Sequence, residues 1–180
     1  MRIMYKIKIP ATQTQKIFII SQISLRIFVI AATVAAAYVV LTSKQTVVAY
    51  GIQVDARYSY TPAFRFLPYV NLIACACSVA SVFVIFFFVN KRVNPKNYFY
   101  VFLHDLTITL LLLGGCSAAT AIGYVGKYGD ERAGWLPICD HFAKFCDKLF
   151  ISGILTYLSL VFYLFLTVIS AHLSSHQIQA

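Results

Sequence analysis

Two residues of opposite charge stand where charge is costly. Arg26 lies inside the apolar stretch "IFIISQISLRIFVIAATVAAAYVV" (17–40), and Asp105 inside "FYVFLHDLTITLLLLGG" (99–115). Ionisable side chains within membrane-length segments are rare and normally find a partner. Asp105 is the only acid in any such segment of this chain. Counted from the cytosolic start of each helix, Arg26 lies about 14 Å in and Asp105 about 9 Å in, at roughly 1.5 Å per residue. The long arginine side chain covers that difference. On parallel helices the two charges then match in depth, the condition for an Arg–carboxylate pair and for bidentate contact. Three uses are open to such a pair. It neutralises itself and sets helix register; it serves a proton or ion relay with His104; or it closes between two protomers. A relay needs a chain of titratable groups through the membrane, and none continues from Asp105 toward the outer side. His104 projects about 100° from Asp105 on a helix, so it is expected to point to the cytosolic interface.

The five cysteines divide by position. Cys139 and Cys146, in "PICDHFAKFC", fall in an outer loop on the oxidising side. Seven residues apart, they suit a small disulfide hairpin. Asp140 and His141 are near, but zinc asks for four suitably spaced ligands, and this spacing is poor for it. Cys75 and Cys77 lie about 200° apart on a helix and cannot bond each other. With Cys116 they are expected to be small buried residues. No Cys–His or Ser–His–Asp set shares a depth, as nucleophilic catalysis would require. The glycines of "GYVGKYGDERAG" follow no strand and lack the Gly-Lys-Ser/Thr ending of a phosphate loop. No enzyme activity and no cofactor are therefore expected.

The elements that must hold these residues follow from composition. The chain has 180 residues, of which 60% are hydrophobic and 12% charged, against roughly 25% charged in soluble domains. Four apolar runs reach the roughly 20 residues needed to cross a bilayer. They predict an all-α membrane protein, a four-transmembrane-helix bundle, with spans at 17–41, 67–89, 99–123 and 149–171. The first run is too long for a signal-peptide core and reads as a retained helix. An arm (1–16), outer loop 1 (42–66), a cytosolic loop (90–98), outer loop 2 (124–148) and a tail (172–180) complete the chain. Short connections make successive helices antiparallel.

Charge orients the bundle. The arm and the 90–98 loop carry Arg2, Lys6, Lys8, Lys16, Lys91, Arg92 and Lys96 with no acid. The two longer loops spread seven basic residues among five acids. The positive-inside rule then places both termini in the cytosol. The net charge of +9 is dispersed over helix ends, so nucleic acid is not an expected partner. On the helical wheel, Gln22, Arg26, Thr33 and Ala37 share one face of the first span. Asp105, Thr109, Cys116, Thr120 and Gly123 share one face of the third. Gly115, Ala119 and Gly123 form a small-xxx-small ladder beside it. The first and third helices are expected to pack along these flanks.

These features together resemble the CASP-like family of plant membrane proteins. That family groups the relatives of the Casparian strip membrane domain proteins and is distantly akin to the MARVEL four-helix domain. The telling stretches are "YTPAFRFLPYVNLIA", "AIGYVGKYGDERAGWLPICDHFAKFC" and "LTVISAHLS", within a likeness running from about Ile17 to Ser174. The resemblance implies a non-enzymatic plasma-membrane scaffold that forms homo-oligomers and hetero-oligomers with related family members. Strip-forming members build immobile platforms that recruit wall-modifying enzymes. Arg26 and Asp105 match the family's intramembrane charges, and Cys139 and Cys146 its second-loop cysteines. The strip-forming members' first-loop signature is not found between Thr42 and Phe66. Outer loop 2, around Trp135 and Pro137, is the expected surface for extracellular partners. The contrasting reading is a small transporter or channel subunit built on the Arg/Asp pair.

Overall fold

The computed structural model describes residues 11–49, 52–89 and 96–178. The expectations for residues 1–10, for 90–95 of the cytosolic loop and for the last two residues lie outside that range. Four helices make the bundle: α1 (Ala11–Leu41), α2 (Pro62–Val89), α3 (Lys96–Tyr128) and α4 (Ala143–Ile178). Each contains a stretch long and apolar enough to cross a membrane: Ile19–Leu41, Pro62–Phe86, Phe99–Tyr128 and Ala143–His172. At about 1.5 Å per residue, the 36 residues of α4 outreach a hydrocarbon layer of about 30 Å. The end of the bundle that carries the 42–61 and 129–142 connections is called the loop end below.

At the loop end α2 and α3 reach past the predicted 67 and 123, and local chemistry explains each. α2 opens at Pro62, whose fixed φ suits a first helical position, while Thr61 stays extended and its carbonyl accepts Arg65 N at 3.0 Å. α3 runs on to Tyr128 and stops where Gly129 turns to φ 73°, its N donating to Val125 O at 2.8 Å. A Cβ at Gly129 would meet Trp135 O at 2.6 Å, so this position needs glycine on two counts. Pro68 sits inside α2, where a span tolerates it because neighbouring helices satisfy the freed groups.

The segment expected to be plain loop between α1 and α2 is largely a β-hairpin. Strand β1 (Lys44–Ala49) pairs antiparallel with β2 (Ile52–Arg57), with Lys44 opposite Arg57 and Val47 opposite Val54. The signal was in the sequence: two runs bearing valine on either side of a glycine. Exposed Asp55 accepts the Tyr60 hydroxyl and Arg57 Nε, each at 2.8 Å. The Tyr60 bond first, and Arg57 after it, hold the Asp55 carboxyl below its usual range.

Packing corrects the expected pairing of helices. α1 lies against α2 and α4, and α3 against α4 and α2. α1 and α3 are diagonal and share no flank. Helical spacing tells which side faces inward but not which neighbour waits there. Gly115 accordingly meets Val70 of α2, 3.3 Å from where its Cβ would be. Ala119 is half-buried, Thr120 is exposed, and nothing stands near Gly123. Toward the loop end Ile122 takes α3's inward place, against a cluster of Phe64, Phe142 and Phe145. A large apolar side chain fills that space where a glycine cannot.

Candidate functional site

The interior of the bundle holds many polar side chains, and α4 supplies more of them than any other helix. Ser152, Thr156, Ser159, Tyr163, Thr167, Ser170 and Ser174 are all buried. Their spacing repeats every eleven residues, about 3.67 per turn, which keeps one face of a helix inward. Outward positions such as Phe150, Ile154, Leu158, Val161, Phe165 and Val168 are exposed. The helix is apolar outside and polar inside because lipid rewards the first and helix–helix hydrogen bonds the second.

Arg26 and Asp105 meet across the diagonal of this core, both fully buried. Arg26 Nη2 donates to Asp105 Oδ1 at 2.8 Å and to Oδ2 at 2.9 Å. One nitrogen thus holds both oxygens, where a fork would use two. Among the described residues Arg26 Nε and Nη1 find no partner. Ser170 Oγ donates to Asp105 Oδ2 at 2.8 Å, and Gln22 Nε2 donates to Ser170 Oγ at 3.3 Å. α1, α3 and α4 are therefore tied at one depth.

His104 does not point away from this group. Its Nδ1 lies 3.4 Å from Asp105 Oδ1 and 3.4 Å from Ser81 Oγ of α2. The ring swings back because Ser81 offers it a polar contact between α2 and α3, which 100° of helix rotation does not forbid. With His104, all four helices reach the same cluster.

Further pairs run from there toward the loop end. Thr109 and Thr167 hydroxyls are 3.1 Å apart. Ser78 and Tyr163 share a hydrogen bond, and the Tyr163 hydroxyl also reaches Ala74 O at 3.2 Å. Asn71 Nδ2 donates to Thr156 Oγ1 at 3.0 Å, and Ser152 Oγ to Ala36 O at 2.9 Å. Cys116 is buried, and Cys75 and Cys77 are half-buried free thiols. Asn71, Ser78 and the α4 stripe were missed by the sequence reading, although the eleven-residue spacing of polar side chains was there to find.

Above the polar core the two loops fold into one cap. Cys139 and Cys146 are joined, with Cα atoms 5.7 Å apart. Asp140 and His141 lie exposed in the turn between them. Asp130 and Trp135 exchange backbone bonds at 2.9 Å, and Asp130 Oδ1 accepts Arg132 N at 3.0 Å. Phe64 and Phe145 stack edge to face at 6.3 Å beneath. Residue 142, just before α4, is phenylalanine and offers no cap to the helix. Gln45 of β1 supplies it, its Oε1 accepting Phe145 N at 2.9 Å. Gln45→Ala is expected to loosen the start of α4 by about 1 kcal/mol, the usual worth of a helix cap. Faster hydrogen exchange at Phe145 would register it, and unchanged exchange would show that Gln45 does not cap α4.

Residues 15–162 match the Casparian strip membrane protein domain. The chain belongs to that family. It is 49% identical to CASP-like protein 1F1 of Vitis vinifera over 92% of this chain and 80% of the relative. It is also 49% identical to CASP-like protein 1F2 of Populus trichocarpa, over 93% and 92%. CASP-like protein 1F1 of Ricinus communis is similar at 48% over 90% of each chain. No solved structure matches. As a Casparian strip family member, the chain is a multi-pass membrane protein with four spans.

Proposed function

We propose that this Casparian strip family protein is a non-enzymatic scaffold of the plasma membrane. It self-assembles, with copies of itself and with related family members, into fixed membrane domains. Its cap faces outward and organises cell-wall-modifying partners. Both termini lie in the cytosol. Disulfides persist on the oxidising side, so the Cys139–Cys146 bridge supports an outward loop end, as do the basic residues of the arm and the 90–98 loop.

The observation that carries the reading is the commitment of the polar interior to holding helices together. Arg26 and Asp105 are fully buried and bound to each other, with Ser170 and His104 on the carboxylate. A transport site would have to release such groups to a passing ion. Here they lock four helices at one depth, which suits a rigid platform.

Photobleaching of a fluorescent fusion in a plant cell tests the proposal. Slow recovery confined to bounded patches is expected. Fast, uniform recovery would sink the scaffold reading and call for a flux assay in liposomes.

A further inference from the structure

Past the end of α3 the chain turns back along the helix. Trp135 O sits 2.6 Å from where a Gly129 Cβ would be, at the level of the helix end. Three residues later, Ile138 N and Cys139 N both donate to Gly126 O, at 2.9 and 3.1 Å. A Cβ on Gly126 would stand 4.0 Å from Cys139 Sγ. From Trp135 to Cys139 the chain therefore stays packed on the last turn of α3, Gly126 to Gly129, at the depth of the helix end.

That depth belongs to the membrane boundary. Gly126 lies within the apolar stretch Phe99–Tyr128. On either side of it are Tyr124 and Tyr128, exposed rings 4.8 Å apart, with Lys127 Nζ 5.5 Å over the second. Exposed tyrosines beside a lysine at a helix end are a headgroup-level arrangement. The segment Trp135–Ile138, held on that turn, carries no charge. The charges nearest it in the chain are Asp140, two residues after Ile138, and Arg132, three before Trp135.

The segment is also apolar and bare. Trp135, Leu136 and Ile138 are 58, 83 and 53% exposed. It is not loose: the Asp130–Trp135 bonds hold one end, and the bonds to Gly126 and the Cys139–Cys146 bridge hold the other. A pinned, uncharged, exposed edge at the depth of an aromatic belt fits an interface that is apolar on one side and wet on the other.

We propose that Trp135–Ile138 is a lipid-resting edge of the cap, seated in the headgroup and upper acyl region of the leaflet at the loop end. Its partner is the lipid surface. The cap is thereby divided: this edge clamps it to the bilayer, and its charged turn and the β1–β2 hairpin remain free for proteins. The inference needs the four spans but not self-assembly.

Trp135 is the only tryptophan of the chain, so intrinsic fluorescence reads this edge without substitution. The full chain would be placed in lipid nanodiscs at one molecule per disc, apart from any assembly. The expected result is blue-shifted emission that loses most of its intensity with lipids brominated near the top of the acyl chain, and little with aqueous iodide. Strong iodide quenching without bromolipid quenching would overturn the proposal and assign the edge to a water-side partner. Resistance to both quenchers would overturn it as well, since protein would then cover the ring. Photobleaching mobility in cells is a separate readout, so failure of one idea leaves the other standing.

Discussion

Replacing Asp105 by alanine is expected to cost the fold about 3–5 kcal/mol, the usual penalty for orphaning a buried charge. Arg26 would remain fully buried, with its one bonded nitrogen freed to join two that already lack partners. Ser170 Oγ and His104 Nδ1 would lose the same carboxylate. The measurement is the fraction of protein reaching the cell surface, with the melting temperature of the purified chain beside it. Changing both members to apolar residues, Arg26→Leu with Asp105→Leu, is expected to recover most of the loss. A buried ion pair is often worth little net against hydrophobic residues of similar volume, and two unmatched guanidinium nitrogens make this one less than ideal. A charge exchange, Arg26→Asp with Asp105→Arg, should recover less, because Ser170 is placed to donate to an acid at position 105. Surface traffic of Asp105→Ala equal to the parent would show that the pair does not hold the bundle.

Breaking the bridge, by Cys139→Ser with Cys146→Ser, is expected to cost about 2–3 kcal/mol by the entropy of a loop this short. The loss should be local to the cap. Both Phe142 and Phe145 lie between the cysteines and are buried against Phe64, so the bridge fixes the residues that seal the bundle's loop end. Hydrogen exchange by mass spectrometry should show residues 126–146 opening faster while the rest of the bundle keeps its protection. If exchange there is unchanged, the two backbone bonds to Gly126 O are enough by themselves and the bridge adds nothing to the cap.

Much of this molecule is legible in a single sequence. Four spans follow from apolar length, because a bilayer of fixed thickness sets how many residues a helix must supply. Arg26 and Asp105 stand out because charge in hydrocarbon is costly, and counting residues along parallel helices puts them at one depth. The features that escaped have a shared cause. Lipid and protein interior are both apolar, so hydrophobic periodicity says little about which face of a span meets which neighbour. The small-residue ladder of α3 therefore pointed toward α1, whereas Gly115 meets α2 and Gly123 meets nothing. Polar periodicity carries that information instead, and the eleven-residue stripe of α4 is its clearest case.

By itself the sequence determined the number of spans, the two buried charges and the family. Each depends on residue type and on distance along one chain. Only the tertiary structure decided that α1 and α3 are diagonal, that His104 turns back to Asp105, and that Gln45 caps a helix 100 residues away. It also decided that the chain after Trp135 folds back onto the last turn of α3, against Gly126. Those are matters of which surfaces meet, and spacing along one helix says which way a side chain points but not what stands there to receive it.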